Sequence, residues 1–65
     1  MIKSVIKTPN NMVIVFDERG EQILEYQGRY EEVKESILKD APPDTLFSYF
    51  LNYETGFEIV PREEW

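Results

Sequence analysis

Two short stretches of this chain are apolar on both faces if they form strands, and they constrain the fold more than any other feature. Residues 45–53 read TLFSYFLNY and residues 12–16 read MVIVF. The side chains of a strand point alternately to its two faces, so each stretch needs cover on both sides. A chain of 65 residues, in which we expect a single domain over residues 1–65, has little material to supply that cover.

Turn-forming residues divide the first part of the chain into three predicted strands. Ile2–Lys7 is the first, and its two lysines on one face indicate an edge strand. The turn formers TPNN lead into the second, Met12–Phe16, whose two apolar faces indicate a central strand. Asp17 and Gly20 occupy positions favoured in a type I turn with a following bulge, so a hairpin to a third strand at residues 22–27 is expected.

Over residues 29–40 the apolar spacing changes to the period of a helix. Tyr30, Val33 and Ile37 lie on one stripe. Acidic residues in the first turn and a lysine in the last suit the helix dipole. Gly28 is the predicted N-cap, and a pair of prolines ends the helix.

For residues 45–53 a helix with Asp44 as its N-cap is the alternative to a strand. We predict a strand, because Thr, Phe, Tyr and Asn are weak helix formers and aromatic residues favour sheets. Asn52–Gly56 then turns the chain into a last strand at residues 57–60, and Pro61 begins one helical turn. The expected order is β-β-β-α-β-β, an α+β fold with one helix packed on one face of a small antiparallel or mixed sheet of about five strands. This order of elements resembles that of small antitoxin domains, which bind a toxin and dimerise.

The side chains that most enzymes use are missing or lack a partner in the sequence. The chain has no histidine and no cysteine, so the commonest general base and the thiol nucleophile are absent. No serine belongs to a motif with a basic partner, and the three glycines form no phosphate-binding loop. The carboxylates do not match the spacing of a calcium loop, and a chain this short can hardly enclose the cleft of a glycosidase pair. We therefore expect no catalytic, metal or cofactor site and predict that the protein is not an enzyme.

The composition is strongly acidic, with 13 acidic and seven basic residues and a formal net charge of -6. Such a charge repels nucleic-acid phosphates and anionic lipid surfaces, and the partner that it favours is a basic protein. The missing cysteines and the absence of a signal-peptide pattern predict a reducing cytoplasm. No apolar run approaches the roughly 20 residues of a membrane span.

One helix of about 12 residues is roughly 18 Å long and covers only one face of a sheet. The second face needs cover from another copy, from a different protein, or from the C-terminal turn folded back. We predict a homodimer that buries this face. Trp65 is expected to be docked, because an indole left in water forfeits a large burial energy. The candidate interface residues are Val13, Val15, Phe47, Tyr49, Leu51, Tyr53 and Trp65. Most of the four phenylalanines, Phe16, Phe47, Phe50 and Phe57, are expected in the core.

The predicted function is a non-catalytic protein–protein interaction module that self-associates through an apolar sheet face and has a basic protein as a possible further partner. The alternatives are a small regulatory or antitoxin-like protein, or an acidic decoy of a nucleic-acid-binding site. A decoy would need carboxylates spaced like phosphates along one surface. An enzyme would need a pocket with perturbed carboxylates or lysines.

Overall fold

The apolar segments bounded by turns assemble into one mixed sheet, which carries one α-helix. The computed structural model describes residues 1–65 and confirms both the α+β class and the order β-β-β-α-β-β. The strands are β1 (Ile2–Lys7), β2 (Met12–Asp17), β3 (Gly28–Arg29), β4 (Leu46–Asn52) and β5 (Gly56–Val60), the helix is α1 (Tyr30–Asp40), and single 3-10 turns lie at Leu24–Tyr26 and Arg62–Glu64.

The strands lie in the order β3-β2-β1-β4-β5, so β1 is the central strand. It pairs antiparallel with β2 and parallel with β4, and the prediction of an edge strand was wrong. Lys7 pairs in register with Val13 of β2 and with Tyr49 of β4. Lys3 is exposed at an irregularity in the register, and the Lys7 ammonium lies 5.2 Å from the ring centre of Tyr30 and 5.5 Å from that of Tyr49.

Residues 22–27 do not form the predicted third strand. They contain the 3-10 turn Leu24–Tyr26, and only Gly28–Arg29 forms a strand beside β2. Ile23 and Tyr26 both pack against the core, and a separation of three residues places them on one side of a 3-10 turn. The prediction failed because Leu24 and Tyr26, two residues apart, fit the alternation of a strand, whereas in the structure Leu24 is 73% exposed.

Helix α1 begins one residue later than predicted, and Arg29 rather than Gly28 precedes its first turn. Arg29 has an extended backbone and makes no capping hydrogen bond with its side chain. Gly28, with φ +148°, belongs to β3. The helix ends before the two prolines, as expected, and no helix is long and apolar enough to cross a membrane.

Helix α1 and the C-terminal 3-10 turn together cover one face of the sheet. Trp65 is 2% exposed, which confirms that it is docked. Its ring centre lies 5.0 Å from that of Phe47 and 5.1 Å from that of Tyr30, and its Nε1 donates a hydrogen bond to the carbonyl of Ser48 at 3.1 Å. The buried apolar residues are Ile2, Val5, Val13, Val15, Ile37, Ala41, Phe47 and Trp65.

Candidate functional site

Strand pairing divides the side chains of the sheet between two faces. Val5 lies opposite Val15 of β2 and Phe47 of β4, and all three are fully buried on the face that α1 covers. Residues paired in register share a face, and the next residue along each strand points to the other one. We call this other side the open face; it comprises Ser4, Ile6, Met12, Ile14, Phe16, Leu46, Ser48, Phe50, Phe57 and Ile59.

Large apolar side chains on the open face are accessible to solvent. Ile59 is 67% exposed, Phe57 58% and Leu46 49%, while Ile6 and Ile14 at the centre are half-buried by their neighbours. The open-face residues of β2, β1, β4 and β5 carry no charge, and the charged residue beside them is Arg29 of β3, which pairs in register with Met12. Single exposed apolar residues are normal on a protein surface, whereas a contiguous set across four strands makes this face the candidate interaction surface.

The open face has a groove bordered by aromatic rings. The ring centre of Phe50 lies 5.3 Å from that of Phe57 and 5.4 Å from that of Tyr53, both in edge-to-face geometry. Ser48 leaves little side-chain bulk beside Ile6, and its hydroxyl donates to the carbonyl of Val5 at 3.2 Å. The groove has a volume of about 330 Å³ and is lined by Ile6, Thr8, Ile14, Phe16, Phe50, Tyr53 and Phe57.

The structure does not bring the predicted interface residues together on one surface. Tyr49 is half-buried on the covered side, where its hydroxyl donates to the carbonyl of Glu64 at 2.9 Å. Leu51 lies at the irregularity in β4, and only Tyr53, which is 97% exposed, borders the open face. Four of the predicted residues are core residues that a partner cannot reach in the folded chain, and the prediction is wrong for them: Val13, Val15, Phe47 and Trp65.

Three phenylalanines expected in the core lie on the open face instead. Phe16 and Phe50 are half-buried there, and Phe57 is mostly exposed. The alternation of residues separated the two sets of side chains correctly. It did not indicate which set the helix covers, and the prediction assigned the helix to the wrong one.

Comparison with known proteins does not assign the chain to a family. No family model, curated protein or solved structure matches the chain. The open face therefore has to be interpreted from its own residues, area and charge.

Two acidic residues at the first hairpin make structural contacts: Asp17 accepts hydrogen bonds within the turn, and Glu18 forms an ion pair with the N-terminal ammonium group. The pKa of Asp17 is lowered, chiefly because its carboxylate accepts hydrogen bonds from the backbone N–H groups of Glu21, at 3.0 Å, and Arg19, at 2.9 Å. The pKa of Glu18 is lowered by its own backbone N–H and by the N-terminal ammonium group 3.2 Å away. No group of three or more aspartate or glutamate side chains in the chain is arranged so that it could hold a metal ion.

The remaining pKa shifts also reinforce the ordinary charge state at neutral pH. A hydrogen bond to Asp40 raises the pKa of Tyr26, and contact with the Tyr30 hydroxyl raises that of Lys34. Acid–base catalysis needs a pKa near the working pH, and all four shifts move the pKa of the group away from neutral pH.

The largest cavity has a volume of about 550 Å³, and one charged side chain, that of Lys7, lines it. The open face, in contrast, is an apolar surface on which no element of the chain packs.

Proposed function

We propose that this chain is a non-catalytic protein–protein interaction module that binds a second copy of itself through the open face. The observation behind this proposal is an apolar, uncharged surface that extends over β2, β1, β4 and β5 and that no element of the chain covers. The catalytic alternative has no support in the shifted pKa values, which leave every affected group in its ordinary charge state at neutral pH.

The area of the open face supports a small dimer interface. Four strands about 4.8 Å apart, each roughly 17–20 Å long, give a face of roughly 400 Å². This is close to one tenth of the total accessible surface of 4542 Å², which is the share that a small protein contributes to a specific interface. Two copies would bury about 800 Å² in all, which is less than the roughly 1,200–2,000 Å² of stable complexes and is the size of a weak, transient interface.

The chemistry of the open face supports a second copy as the occupant. In a contact between two identical copies, each apolar sheet face packs against another apolar face, and sheets pack face to face at a separation of about 10 Å. If a two-fold axis relates the two copies, the same surface is used on each, and the assembly stops at a dimer. At about 25 cal/mol per Å², the buried area contributes roughly 20 kcal/mol before the costs of association, which offset much of it. We therefore expect a dissociation constant in the micromolar range.

Sedimentation equilibrium of wild type, Ile59→Glu and Leu24→Glu tests the proposal. Ile59 is 67% exposed on the open face, and Leu24 is 73% exposed in the first 3-10 turn, outside the sheet. Both variants replace an exposed apolar side chain with the same acid. We expect wild type and Leu24→Glu to dimerise and Ile59→Glu to be a monomer with an unchanged circular dichroism spectrum.

Two results would reject self-association through this face. A wild-type monomer at millimolar concentration would exclude the dimer. Equal dissociation of both variants would show that added negative charge, rather than contact at the open face, separates the copies. If Ile59→Glu is unfolded, Phe57→Ser provides a second test, because Phe57 is also mostly exposed and the change adds no charge.

The proposal includes the cytoplasm as the compartment. The chain has no cysteine, whereas small secreted domains usually rely on disulfides. Cell fractionation of the untagged protein, detected with an antibody, tests this assignment.

A further inference from the structure

Strand β5 leaves one edge of the sheet unpaired. It pairs antiparallel with β4 and is the last strand in the sheet order. An edge strand presents a row of backbone N–H and C=O groups that can accept another extended chain. The opposite edge is β3, which has only two residues. The β5 edge is therefore the one long enough for strand addition.

Few of the usual protective features are present in β5. Natural edge strands are blunted by lysines, by proline or by a bulge. The sequence of β5, GFEIV, contains neither lysine nor proline, and its register irregularity lies in the partner strand β4. Its one charged residue is Glu58, which is exposed between Phe57 and Ile59.

We propose that the outer edge of β5 binds an extended segment of a basic partner protein by strand addition. The segment carries a lysine or arginine opposite Glu58 and apolar residues on either side, opposite Phe57 and Ile59. Backbone hydrogen bonds supply the affinity, and the alternating side chains supply the specificity. The net charge of -6 steers a basic chain toward the protein.

Charge argues against a second copy of β5 as the occupant of this edge. Antiparallel pairing of two β5 strands about Glu58 would place the two Glu58 carboxylates directly opposite each other, and opposed like charges destabilise a sheet. The chain also has no spare segment of its own with the required pattern. Its alternating apolar and lysine stretch, IKSVIK, is β1, which is paired on both sides.

Strand addition and the proposed dimer use different groups of β5. The dimer buries side chains on the open face, whereas strand addition uses the backbone groups at the outer edge of β5; Phe57 and Ile59 contribute side chains to both contacts. The edge and the dimer can therefore be tested separately.

Two blocked peptides, acetyl-TVKVKVT-amide and acetyl-TVEVEVT-amide, serve as probes in amide NMR titrations of the full chain. We expect the lysine peptide to produce saturable shifts at Phe57–Val60 and to slow hydrogen exchange of the outward β5 amides. The glutamate peptide should bind at least about tenfold more weakly.

A charge-reversed variant with a matched control distinguishes strand addition from general attraction. Glu58→Lys and Glu35→Lys both change the net charge from -6 to -4, since each adds two charges, and Glu35 lies exposed on α1 away from β5. We expect Glu58→Lys to reverse the preference between the peptides, whereas Glu35→Lys retains the wild-type preference.

Shifts scattered over the acidic surface, equal losses in the two variants, or equal binding of the two peptides would each overturn the inference. Sedimentation of the same samples reports the dimer separately. A dimer without localised β5 shifts rejects strand addition alone, and a monomer with localised β5 shifts rejects the proposed function alone.

Discussion

At the scale of single residues, Asp17 shows how one carboxylate holds a turn. It accepts two backbone hydrogen bonds within the hairpin loop, where Gly20 adopts φ +83°. These bonds favour the ionised form in the folded state, which is why the pKa lies below its ordinary value of 3.8. Because the folded-state pKa is lowered, this stabilisation is present above the ordinary pKa and is lost as the pH falls through the lowered value.

Replacing Asp17 with Asn should therefore change the pH dependence of stability. The amide keeps an oxygen that can accept the same hydrogen bonds but removes the charge. We expect Asp17→Asn to have a lower urea midpoint than wild type at pH 7, with a difference that decreases as the pH falls below the ordinary value of 3.8 and disappears below the lowered pKa. Glu35→Gln is the control for loss of a surface carboxylate. A difference that stays constant across this range would contradict the assignment.

Trp65 belongs to the core, so its truncation should be severe. Removal of a buried aromatic side chain costs about 3–5 kcal/mol. A chain of 65 residues has a total stability of roughly 3–10 kcal/mol. We expect Trp65→Ala to be largely unfolded at 37 °C by circular dichroism. Trp65→Phe should remain folded, with a smaller loss that includes the hydrogen bond to the Ser48 carbonyl. A near-wild-type melting curve for Trp65→Ala would be inconsistent with the docked indole.

At the scale of elements, the C-terminal 3-10 turn ties α1 to the sheet. The guanidinium of Arg62 donates to the carbonyls of Ala41, at 3.2 Å, and Leu38, at 3.4 Å, and also to that of Pro42. It also lies 5.1 Å from the ring centre of Phe47 in β4. A cation at the C-terminus of a helix donates hydrogen bonds to carbonyls that have no partner within the helix, and its charge interacts favourably with the negative end of the helix dipole.

Arg62→Ala should remove this connection. We expect a loss of about 1–2 kcal/mol in the free energy of unfolding, because the hydrogen bonds are charge-assisted but partly accessible to water. Arg62→Lys should restore only part of the loss, since an ammonium lacks the planar fork that reaches several carbonyls. Chemical denaturation of the three proteins measures both differences. Full rescue by lysine would show that charge alone accounts for the effect.

The local elements could largely be predicted from the sequence, whereas their arrangement could not. Turn chemistry and apolar period located β1, β2, α1, β4 and β5 to within one or two residues, because these signals are local. The parallel pairing of β1 with β4 joins Val5 to Phe47, which are far apart in the sequence. Nothing in either segment indicates the other, so the central position of β1 was missed.

The candidate site depended on the same missing information. Alternation gives two sets of side chains per strand, and the sequence of β2 alone does not show whether Val13 or Ile14 faces the helix. The handedness of the crossover from β3 through α1 to β4 restricts the face that the helix covers, but only when the order of the strands is known. The open face could therefore be predicted to exist but not assigned to its residues.

At the scale of the whole molecule, charge and apolar surface act in opposite directions. Each copy carries a formal net charge of -6, which repels a second copy at all contact geometries. The open face carries no charge, so the acidic side chains stay outside a face-to-face contact. Association is then a balance between apolar burial, which depends little on moderate salt, and repulsion, which salt screens.

Sodium chloride should therefore strengthen the dimer and weaken the binding of a basic peptide at β5. The Debye length falls from about 30 Å at 0.01 M to about 10 Å at 0.1 M, so repulsion between two copies decreases over this range. We expect the dimer dissociation constant from sedimentation equilibrium to fall several-fold and that of the lysine peptide from NMR to rise. Leu24→Glu, at one more negative charge per copy, should show a steeper salt dependence of dimerisation than wild type. If salt instead dissociated the wild-type dimer, ion pairs would have to hold the two copies together, and the uncharged open face could not be their contact.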